Sequence, residues 1–381
     1  VYFNASGNWS GSDTLYAANI TVGSGTFSLS SGQLLQADTL DVLSGASLSL
    51  NGSTLLTGYT EISSGATFTP NGAAVLLQRP IGQWYQPYFY YFPTDSIYLS
   101  RLEVLSGSGR ASVYNATIDS VLAPSSFDLD IYDSEITYFS AGYPNLDATR
   151  SYILNGIDAP YLNVRLYDHS TVPYIQSAGW AYVCLNQQSS TDSVIVSGNL
   201  EIGGQNNIKI PLVRAQTLNV RYVCSGGTLV LGSVYSAGNV DLGIPVEMDT
   251  LEMGYPAVLR VRHTGANTID HFISEATCDS VNYVESNLSY TKRTLDISSG
   301  SVSNTHFRDI ANANGPLIIL SGNAIRSTGI TSTGTADQTY YWVGGSGSWT
   351  DLNHWSSTSG GTANAACIPG LGDTVIVDDN S

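Results

Sequence analysis

The densest group of side chains that could perform acid–base chemistry is a set of four acidic residues: Asp128, Asp130, Asp133 and Glu135. On a strand, Asp128 and Asp130 face the same side, with Tyr132 next in that row. Enzymes that cleave polysaccharides use paired carboxylates, often with a basic residue or Ca²⁺. No lysine lies near this group, and Arg101 and Arg110 are distant in the sequence. We therefore interpret the group as a solvated strand face and keep a β-helical polysaccharide-degrading enzyme as the alternative.

The other residues with chemical potential form no catalytic or metal-binding motif. The histidines are isolated, with no HxxxH spacing and no adjacent nucleophile: His169, His263, His271, His306 and His354. The sequence contains no GxSxG, P-loop or dinucleotide fingerprint. Asp378 and Asp379 are candidate Ca²⁺ ligands, although no EF-hand loop or Gly-rich nonapeptide surrounds them. We expect no catalytic residue, no enzymatic activity and no cofactor, with Ca²⁺ at this aspartate pair as the alternative.

A candidate binding site lies in residues 79–98, where eight of twenty residues are aromatic. One interpretation is structural: the aromatic side chains pack on the flank of the fold or cover its end, as an exposed strand edge requires. The other is functional, because exposed Trp and Tyr rings stack on sugars or anchor a protein partner. If carbohydrate binds here, the candidate residues are Trp84, Tyr85 and Tyr88.

The elements that must position these residues are indicated by an internal repeat of 20 residues. A Ser-Gly pair recurs at 24–25, 44–45 and 64–65, between short runs of alternating apolar residues. Alternation is typical of strands, and a recurring glycine supplies a corner conformation that other residues resist. One such unit cannot bury its apolar face alone, whereas stacked units share a continuous core. We therefore predict an all-β fold, a right-handed parallel β-helix of about fourteen rungs, rather than a string of small sandwiches.

The regularity of this repeat divides the chain into four stretches. Regular rungs occupy 1–78, the aromatic insertion 79–100, less regular rungs 101–335, and a Trp/Gly-rich segment 336–381. In the third stretch the Ser-Gly copies are weaker and end at Gly107, Gly198, Gly300 and Gly322.

A second recurrence is the tripeptide Asp-[Ser/Thr]-[Leu/Ile/Val], which begins at 13, 38, 95, 119, 192, 249, 279 and 373. Its structural interpretation is a turn in which Asp caps its own backbone before a strand. The tripeptide also resembles the O-glycosylation acceptor of secreted Bacteroidota proteins. That resemblance implies sugar on the hydroxyl residues of these copies: Thr14, Thr39, Ser96, Ser120, Ser193, Thr250, Ser280 and Thr374. Both interpretations are compatible.

The charge of the chain excludes several kinds of partner. Its net charge is −17, so it repels phosphate backbones and is not expected to bind nucleic acid. The same charge disfavours attachment to anionic lipid. No run of 18 apolar residues occurs, so the chain is not expected to span a membrane.

The four cysteines contain no CxxC spacing, so a zinc site is not expected. Cys184 and Cys224 lie 40 residues apart in similar Tyr-Val-Cys contexts. Two rungs of a solenoid would separate them by about 9–10 Å, too far for an undistorted disulfide. We expect at least two cysteines to be buried and reduced, and a bond between Cys278 and Cys367 stays open.

The last stretch carries a more specific signature. It contains YWVGGSGSWTDLNHWS from Tyr341 to Ser356, Ser-Gly-Gly at 359–361, and CIPGLGDTVIVD from Cys367 to Asp378. These segments resemble the opening of repeats in giant surface proteins of Bacteroidota, which include gliding-motility adhesins and filamentous proteins exported by type IX secretion. The resemblance implies a cell-surface fibre that serves adhesion or motility, and it brings no catalytic residue with it.

The expected function is therefore a structural repeat module of a long extracellular surface fibre or giant adhesin, serving adhesion or gliding. Copies would join head to tail through a joint made by two groups of residues: Val1, Tyr2 and Phe3, and Trp342, Trp349 and Trp355. The expected partners are neighbouring copies of the same repeat and surface glycans. A carbohydrate-binding adhesive module that uses the aromatic insertion is the main alternative.

Overall fold

The computed structural model describes all residues except 10–13, 79–87, 92–95, 106–107, 205–207, 222–227, 279, 334–337, 366 and 370–372, with only the backbone of Asn8, Trp9 and Tyr88. Nearly all of it is short strand, stacked in parallel as a β-solenoid of about 15 turns with about 19 residues per turn. The predicted parallel β-helix is confirmed, while its hand stays a prediction. The chain divides into two compact units, residues 1–198 and 199–381.

The first unit is built entirely of strands, which succeed one another around the solenoid. They are β1 (Tyr2–Phe3), β2 (Gly7–Trp9), β3 (Leu15–Val22), β4 (Gly25–Leu29), β5 (Leu34–Val42), β6 (Ala46–Ser49), β7 (Thr54–Ile62), β8 (Thr67–Thr69), β9 (Ala73–Leu77), β10 (Tyr88–Tyr91), β11 (Ile97–Val104), β12 (Gly109–Tyr114), β13 (Ala116–Tyr132), β14 (Glu135–Thr149), β15 (Tyr152–Ile153), β16 (Ile157–Ala159), β17 (Leu162–Tyr167), β18 (Tyr174–Ser177) and β19 (Ala181–Leu185).

A continuous column of inward side chains forms part of the core of the first unit. Parallel register places one residue of each rung directly on the next: Val22, Val42, Ile62, Tyr91, Val113, Ile131, Ala148, Leu166 and Leu185. All of them are buried. Each large apolar side chain buried in this way contributes roughly 1.5–3 kcal/mol, which offsets the entropy cost of ordering the chain.

The corners of the first rungs use the predicted glycines. Gly25, Gly45 and Gly65 have φ between +72° and +82°, the left-handed region that other residues resist. Gly198, in one of the weaker copies, does not have a positive φ, so glycine is needed there for a different reason. A Cβ at Gly198 would lie 2.1 Å from the carbonyl oxygen of Gly179, so a side chain there would collide with the neighbouring rung.

Part of the aromatic insertion continues the ladder. β10 pairs in parallel with β7 on one side and β12 on the other, and β11 pairs with β9 and β13. Within the described part of residues 79–100, the strands therefore belong to solenoid rungs.

Three of the recurrent Asp-[Ser/Thr] pairs lie at bends inside strands, while the aspartates at 13, 95 and 279 lie outside the described residues. In three copies, two consecutive side chains face outward inside a continuous strand: Asp38-Thr39, Asp119-Ser120 and Asp249-Thr250. After each pair, buried and outward-facing residues alternate again. The prediction of an aspartate that caps its own backbone is wrong for two of them. Asp119 accepts a hydrogen bond from the Tyr98 hydroxyl, and Asp249 pairs with Lys209 at 2.8 Å, so these carboxylates join rungs instead.

The second unit continues the same architecture and then ends in a small separate sheet. Its strands are β20 (Ser193–Gly204, beginning before the unit boundary), β21 (Lys209–Val220), β22 (Leu229–Ser236), β23 (Val240–Leu242), β24 (Val246–Met253), β25 (Val258–Val261), β26 (Thr268–Glu275), β27 (Asn282–Ser286), β28 (Arg293–Thr294), β29 (Asp296–Ser303), β30 (Thr305–Arg308), β31 (Ile310–Ala311), β32 (Leu317–Ile319), β33 (Ala324–Ile325), β34 (Ile330–Ser332), β35 (Thr339–Trp342), β36 (Trp355–Ser356) and β37 (Thr374–Ile376). A 3₁₀ turn at Leu352–His354 precedes β36.

The Trp-rich segment folds around one tryptophan. β35 pairs antiparallel with β36 and parallel with β37, which makes a three-stranded sheet. Trp355 is fully buried there, and its Nε1 donates to the carbonyl oxygen of Trp349. The rings of Trp342 and Trp349 contact it edge-on at 4.9 and 4.7 Å. A disulfide between Cys278 and Cys367 ties this sheet to the solenoid rungs of its own unit.

The expectation of reduced cysteines is wrong for the described residues, none of which is a free cysteine. Cys278 bonds Cys367, and Cys184 is disulfide-bonded as well, while Cys224 lies outside the described residues. The expectation assumed a fixed period of 20 residues. Here Asn145 pairs with Asn163 and Asn163 with Tyr182, so successive rungs are offset by 18 and 19 residues.

Candidate functional site

The most chemically diverse surface of the first unit is the outward face of β12, β13, β14, β17 and β19. Because these strands stack in register, their outward side chains form rows that cross the rungs. We name each row by one member: the Tyr143 row (Tyr143, Tyr161, Trp180), the Asn163 row (Arg110, Asp128, Asn145, Asn163), the Asp147 row (Ser112, Asp130, Asp147, Arg165) and the Tyr132 row (Tyr114, Tyr132, Thr149, Tyr167).

The two middle rows form the floor of a groove of about 270 Å³, lined by Arg110, Asp128, Asp130, Asn145, Asp147, Asn163 and Arg165. The outer two rows, which are mostly aromatic, border this floor without lining the cavity, and we call them the walls. With about 3.3 Å per residue along a strand, six residues from Tyr143 to Thr149 separate the walls by about 20 Å. Successive rungs add about 4.8 Å each in the other direction. We call this surface, floor and walls together, the groove.

Hydrogen bonds between rungs fix the polar floor. Asn145 Nδ2 donates to Asp128 Oδ1 at 2.7 Å. Arg110 and the Ser112 hydroxyl each donate to Asp130 Oδ2 at 3.1 Å. The remaining oxygens, Asp128 Oδ2 and Asp130 Oδ1, accept no hydrogen bond from described side chains. The floor therefore holds its carboxylates in place and still presents acceptors toward solvent.

One acceptor in the floor is buried without a partner. Asn163 Oδ1 is inaccessible to solvent and has no hydrogen-bond partner among the described residues. A buried acceptor that stays unpaired costs about 1–3 kcal/mol. Because solvent does not reach this atom, a molecule bound at the surface of the groove would not contact it.

The walls are made by stacked rings. The rings of Tyr143 and Tyr161 stack at 5.1 Å with an interplanar angle of 11°, and Trp180 follows on the next rung, 6.2 Å from Tyr182. In the Tyr132 row, the rings of Tyr114 and Tyr132 stack at 4.4 Å. Tyr143, Tyr161 and Trp180 are exposed, so aromatic side chains border the polar floor.

The electrostatics of the floor are set by burial and by neighbouring charges. Half-burial raises the pKa of the Asp147 carboxyl above its usual range, because it outweighs the Arg165 guanidinium 3.5 Å away. The carboxylates of Asp130 and Asp128 act in the same direction. At the wall, burial next to Tyr132 raises the pKa of Tyr114 to about 12, so this phenol stays protonated and can donate.

The sequence-based interpretation of the acidic group needs one correction. Arg110 was treated as distant, yet it pairs with Asp130 at 3.1 Å because residues one rung apart become neighbours. Asp133 lies outside the groove, at a corner where it bonds Arg150 at 2.6 Å. That pairing lowers the pKa of Asp133. The solenoid thus divides the acidic group, with Asp128 and Asp130 in the groove and Asp133 at the corner.

Sequence reasoning did not find Asn163, Asp147, Arg165 or the Tyr143 row. The signal was present as spacing: polar or aromatic residues recur at 128, 145 and 163 and at 143, 161 and 180. Rungs of variable length hid it from a search for a fixed period of 20.

The candidates from the aromatic insertion fall largely outside the described residues. Trp84 and Tyr85 are not described, and of Tyr88 only the backbone is. The backbone of Tyr88 pairs with that of Arg110 in the parallel ladder. Sugar binding by these three residues stays a prediction.

The residues proposed for a joint divide into buried and exposed ones. Phe3 stacks on Phe27 at 4.2 Å inside the first unit, while Val1 and Tyr2 are 62% and 59% exposed. In the second unit Trp355 is fully buried and Trp349 is 50% exposed. Phe3 and Trp355 therefore serve the cores of their own units, and the joint itself stays a prediction.

The hydroxyl residues proposed for glycosylation all lie at least partly at the surface. Thr14, Ser96 and Thr374 are exposed, and the others are half-buried: Thr39, Ser120, Ser193, Thr250 and Ser280. Thr39 donates to Asn19 Oδ1, and Ser120 donates to the Ser100 carbonyl at 3.2 Å. Their modification stays a prediction.

Within the described parts of the chain, no three His, Cys, Asp or Glu side chains stand close enough to hold a metal ion. Asp378 instead accepts hydrogen bonds from the Ser359 hydroxyl at 2.7 Å and the Asn380 amide at 2.9 Å.

No helix among the described residues is long and apolar enough to cross a bilayer.

Comparison with known proteins adds no functional information: no family model, curated protein or solved structure matches this chain.

Proposed function

We propose that this chain is a structural module of an extracellular surface fibre that serves adhesion. The observation that carries the proposal is a β-solenoid fastened by a disulfide, Cys278–Cys367. Disulfides of this kind persist in oxidising surroundings and are rare in the cytosol. A stack of similar rungs is suited to presenting a long surface on which side chains recur.

The resemblance of the Trp/Gly-rich segment supports a more specific form of this proposal. Repeats that open with this signature belong to giant adhesins of Bacteroidota, exported by type IX secretion and used for adhesion or gliding. Under the proposal, the partners of this module are neighbouring copies of the same repeat, and it is located at the cell surface. The proposal assigns the module a structural and adhesive role and no reaction.

The proposal is tested on intact cells that make the protein. Antibodies raised against the purified chain should label the cell surface by immunogold electron microscopy, and external protease should remove the label. A cytoplasmic marker protein, which the protease should leave intact, is the control. Label that appears only after the cells are permeabilised would refute an extracellular role.

A further inference from the structure

We propose that the groove of the first unit binds a neutral, extended polysaccharide that lies across the rungs on the polar floor, along the Tyr143 row. This inference deepens the proposed adhesive function and rests on it. It names the ligand class and the residues that would bind it.

The floor has the hydrogen-bonding character that a polyhydroxyl ligand requires. Each sugar hydroxyl both donates and accepts, so a site needs acceptors and donors side by side. Asp128 and Asp130 each present a second carboxylate oxygen, while Arg165 lies beside Asp147 at 3.5 Å and supplies donors. Acceptors and donors therefore lie side by side in the floor.

The Tyr143 row adds exposed apolar surface beside the polar floor. Tyr143, Tyr161 and Trp180 are exposed in one row on successive rungs, with Tyr143 and Tyr161 held parallel by stacking. Such large, flat rings contribute contact area at low entropy cost, and their rigidity here is set by the rung beneath. Exposed aromatic side chains around polar groups are typical of a binding surface.

The charges select against anionic ligands. Three aspartates and two arginines line the floor, and the whole chain carries −17. A polymer with one carboxylate or phosphate per unit would meet like charge along the groove. The repetition of the rows from rung to rung favours an extended chain, whose contacts repeat, over a single small molecule.

The test uses the full 381-residue chain in native gels that contain one polysaccharide each. The neutral polymers are laminarin, xyloglucan and galactomannan, and alginate is the anionic comparison. We expect at least one neutral polymer to retard the protein and alginate to leave its mobility unchanged. Failure of all three neutral polymers, or retardation by alginate alone, would overturn the proposal.

The decisive variant is Asp128→Asn, which replaces the carboxylate oxygen Oδ2 with an amide at constant side-chain size. Binding should weaken about tenfold, the effect of losing one good hydrogen bond, while the melting temperature should stay constant. Unchanged binding by Asp128→Asn would contradict the assignment. The amide oxygen of the new side chain can still accept the hydrogen bond from Asn145, so weaker binding at an unchanged melting temperature is not an effect of unfolding.

A second pair of variants separates the wall from other exposed tyrosines. Tyr161→Ala should weaken binding, whereas Tyr138→Ala should not, because Tyr138 is 49% exposed at a bend of β14 outside the four rows. Equal effects of the two variants would count against the aromatic wall. Since these assays use the isolated chain, their failure would leave the surface-fibre proposal to be judged separately by cell labelling.

Discussion

At the scale of single residues, the rung corners depend on backbone conformation. Gly45 has φ +81° and open space around the position of a Cβ. Asn51 and Asn71 adopt the same left-handed region at +47° and +48°, since Asn tolerates it better than other side chains. The corner glycines could be predicted from sequence because the requirement is local and recurs at a fixed interval.

We predict that Gly45→Ala lowers the free energy of unfolding by about 1–2 kcal/mol, the cost of a Cβ in the left-handed region. Gly45→Asn should lower the free energy of unfolding clearly less than Gly45→Ala does. Urea denaturation of the three proteins measures both differences. Equal losses for Ala and Asn would mean that the corner strain is not the cause.

An ion pair between a buried carboxylate and an exposed arginine in the second unit makes stability depend on pH. Asp309 is buried and accepts two hydrogen bonds from Arg326, at 2.7 and 2.8 Å. This pairing lowers the pKa of Asp309 below its ordinary 3.8. A carboxyl group whose pKa is lowered by folding stabilises the folded state at any pH above its pKa in the unfolded chain. That stabilisation is lost as the pH falls through the pKa of the folded state.

We therefore expect wild type to lose more stability than Asp309→Asn between pH 5 and a pH below the folded-state pKa. Melting temperatures across this range give the comparison, with the exposed Asp379→Asn as a control that follows wild type. If Asp309→Asn and wild type lose stability in parallel, Asp309 is not the titrating group.

At the scale of elements, the terminal sheet is a small core of its own. The structure shows Trp355 at the centre of β35, β36 and β37, while the joint between repeats that the sequence predicted at Trp342, Trp349 and Trp355 stays a prediction. The disulfide at Cys367 was left open by the sequence, because its partner Cys278 lies 89 residues away. Pairings over such separations depend on how the rungs stack, which local patterns do not specify.

We predict that Trp355→Ala costs about 3–5 kcal/mol in this sheet and frees its amides to exchange, while the solenoid amides stay protected. Trp349→Ala, at a half-exposed ring, is the matched control and should have a smaller effect. Hydrogen exchange by mass spectrometry resolves the two regions. Loss of protection throughout the second unit would show that this sheet is needed for the solenoid itself.

The groove illustrates what element patterns leave undetermined. The alternation of side chains along a strand correctly predicted that Asp128 and Asp130 lie on one face of β13. Their neighbours Arg110, Asn145 and Asp147 come from other strands, 17 to 20 residues away, and variable rung lengths set those registers. The fold could thus be predicted from local periodicity, whereas the groove required the register between rungs.

At the scale of the whole molecule, the protein combines a stacked β-solenoid with oxidised cysteines and a net charge of −17. Each unit buries its apolar residues in columns that continue from rung to rung, so its outward rows are held at regular spacing. Such a surface suits repeated, weak contacts with a polymer, which add up when many modules act together.

The most direct test of the central claim is cryo-electron microscopy of native surface material, with denaturing gel electrophoresis of the same preparation. The account predicts long fibres with solenoid density, whose strands are spaced by about 4.8 Å, and a polypeptide many times longer than 381 residues. Discrete particles made of a polypeptide of this length would contradict it.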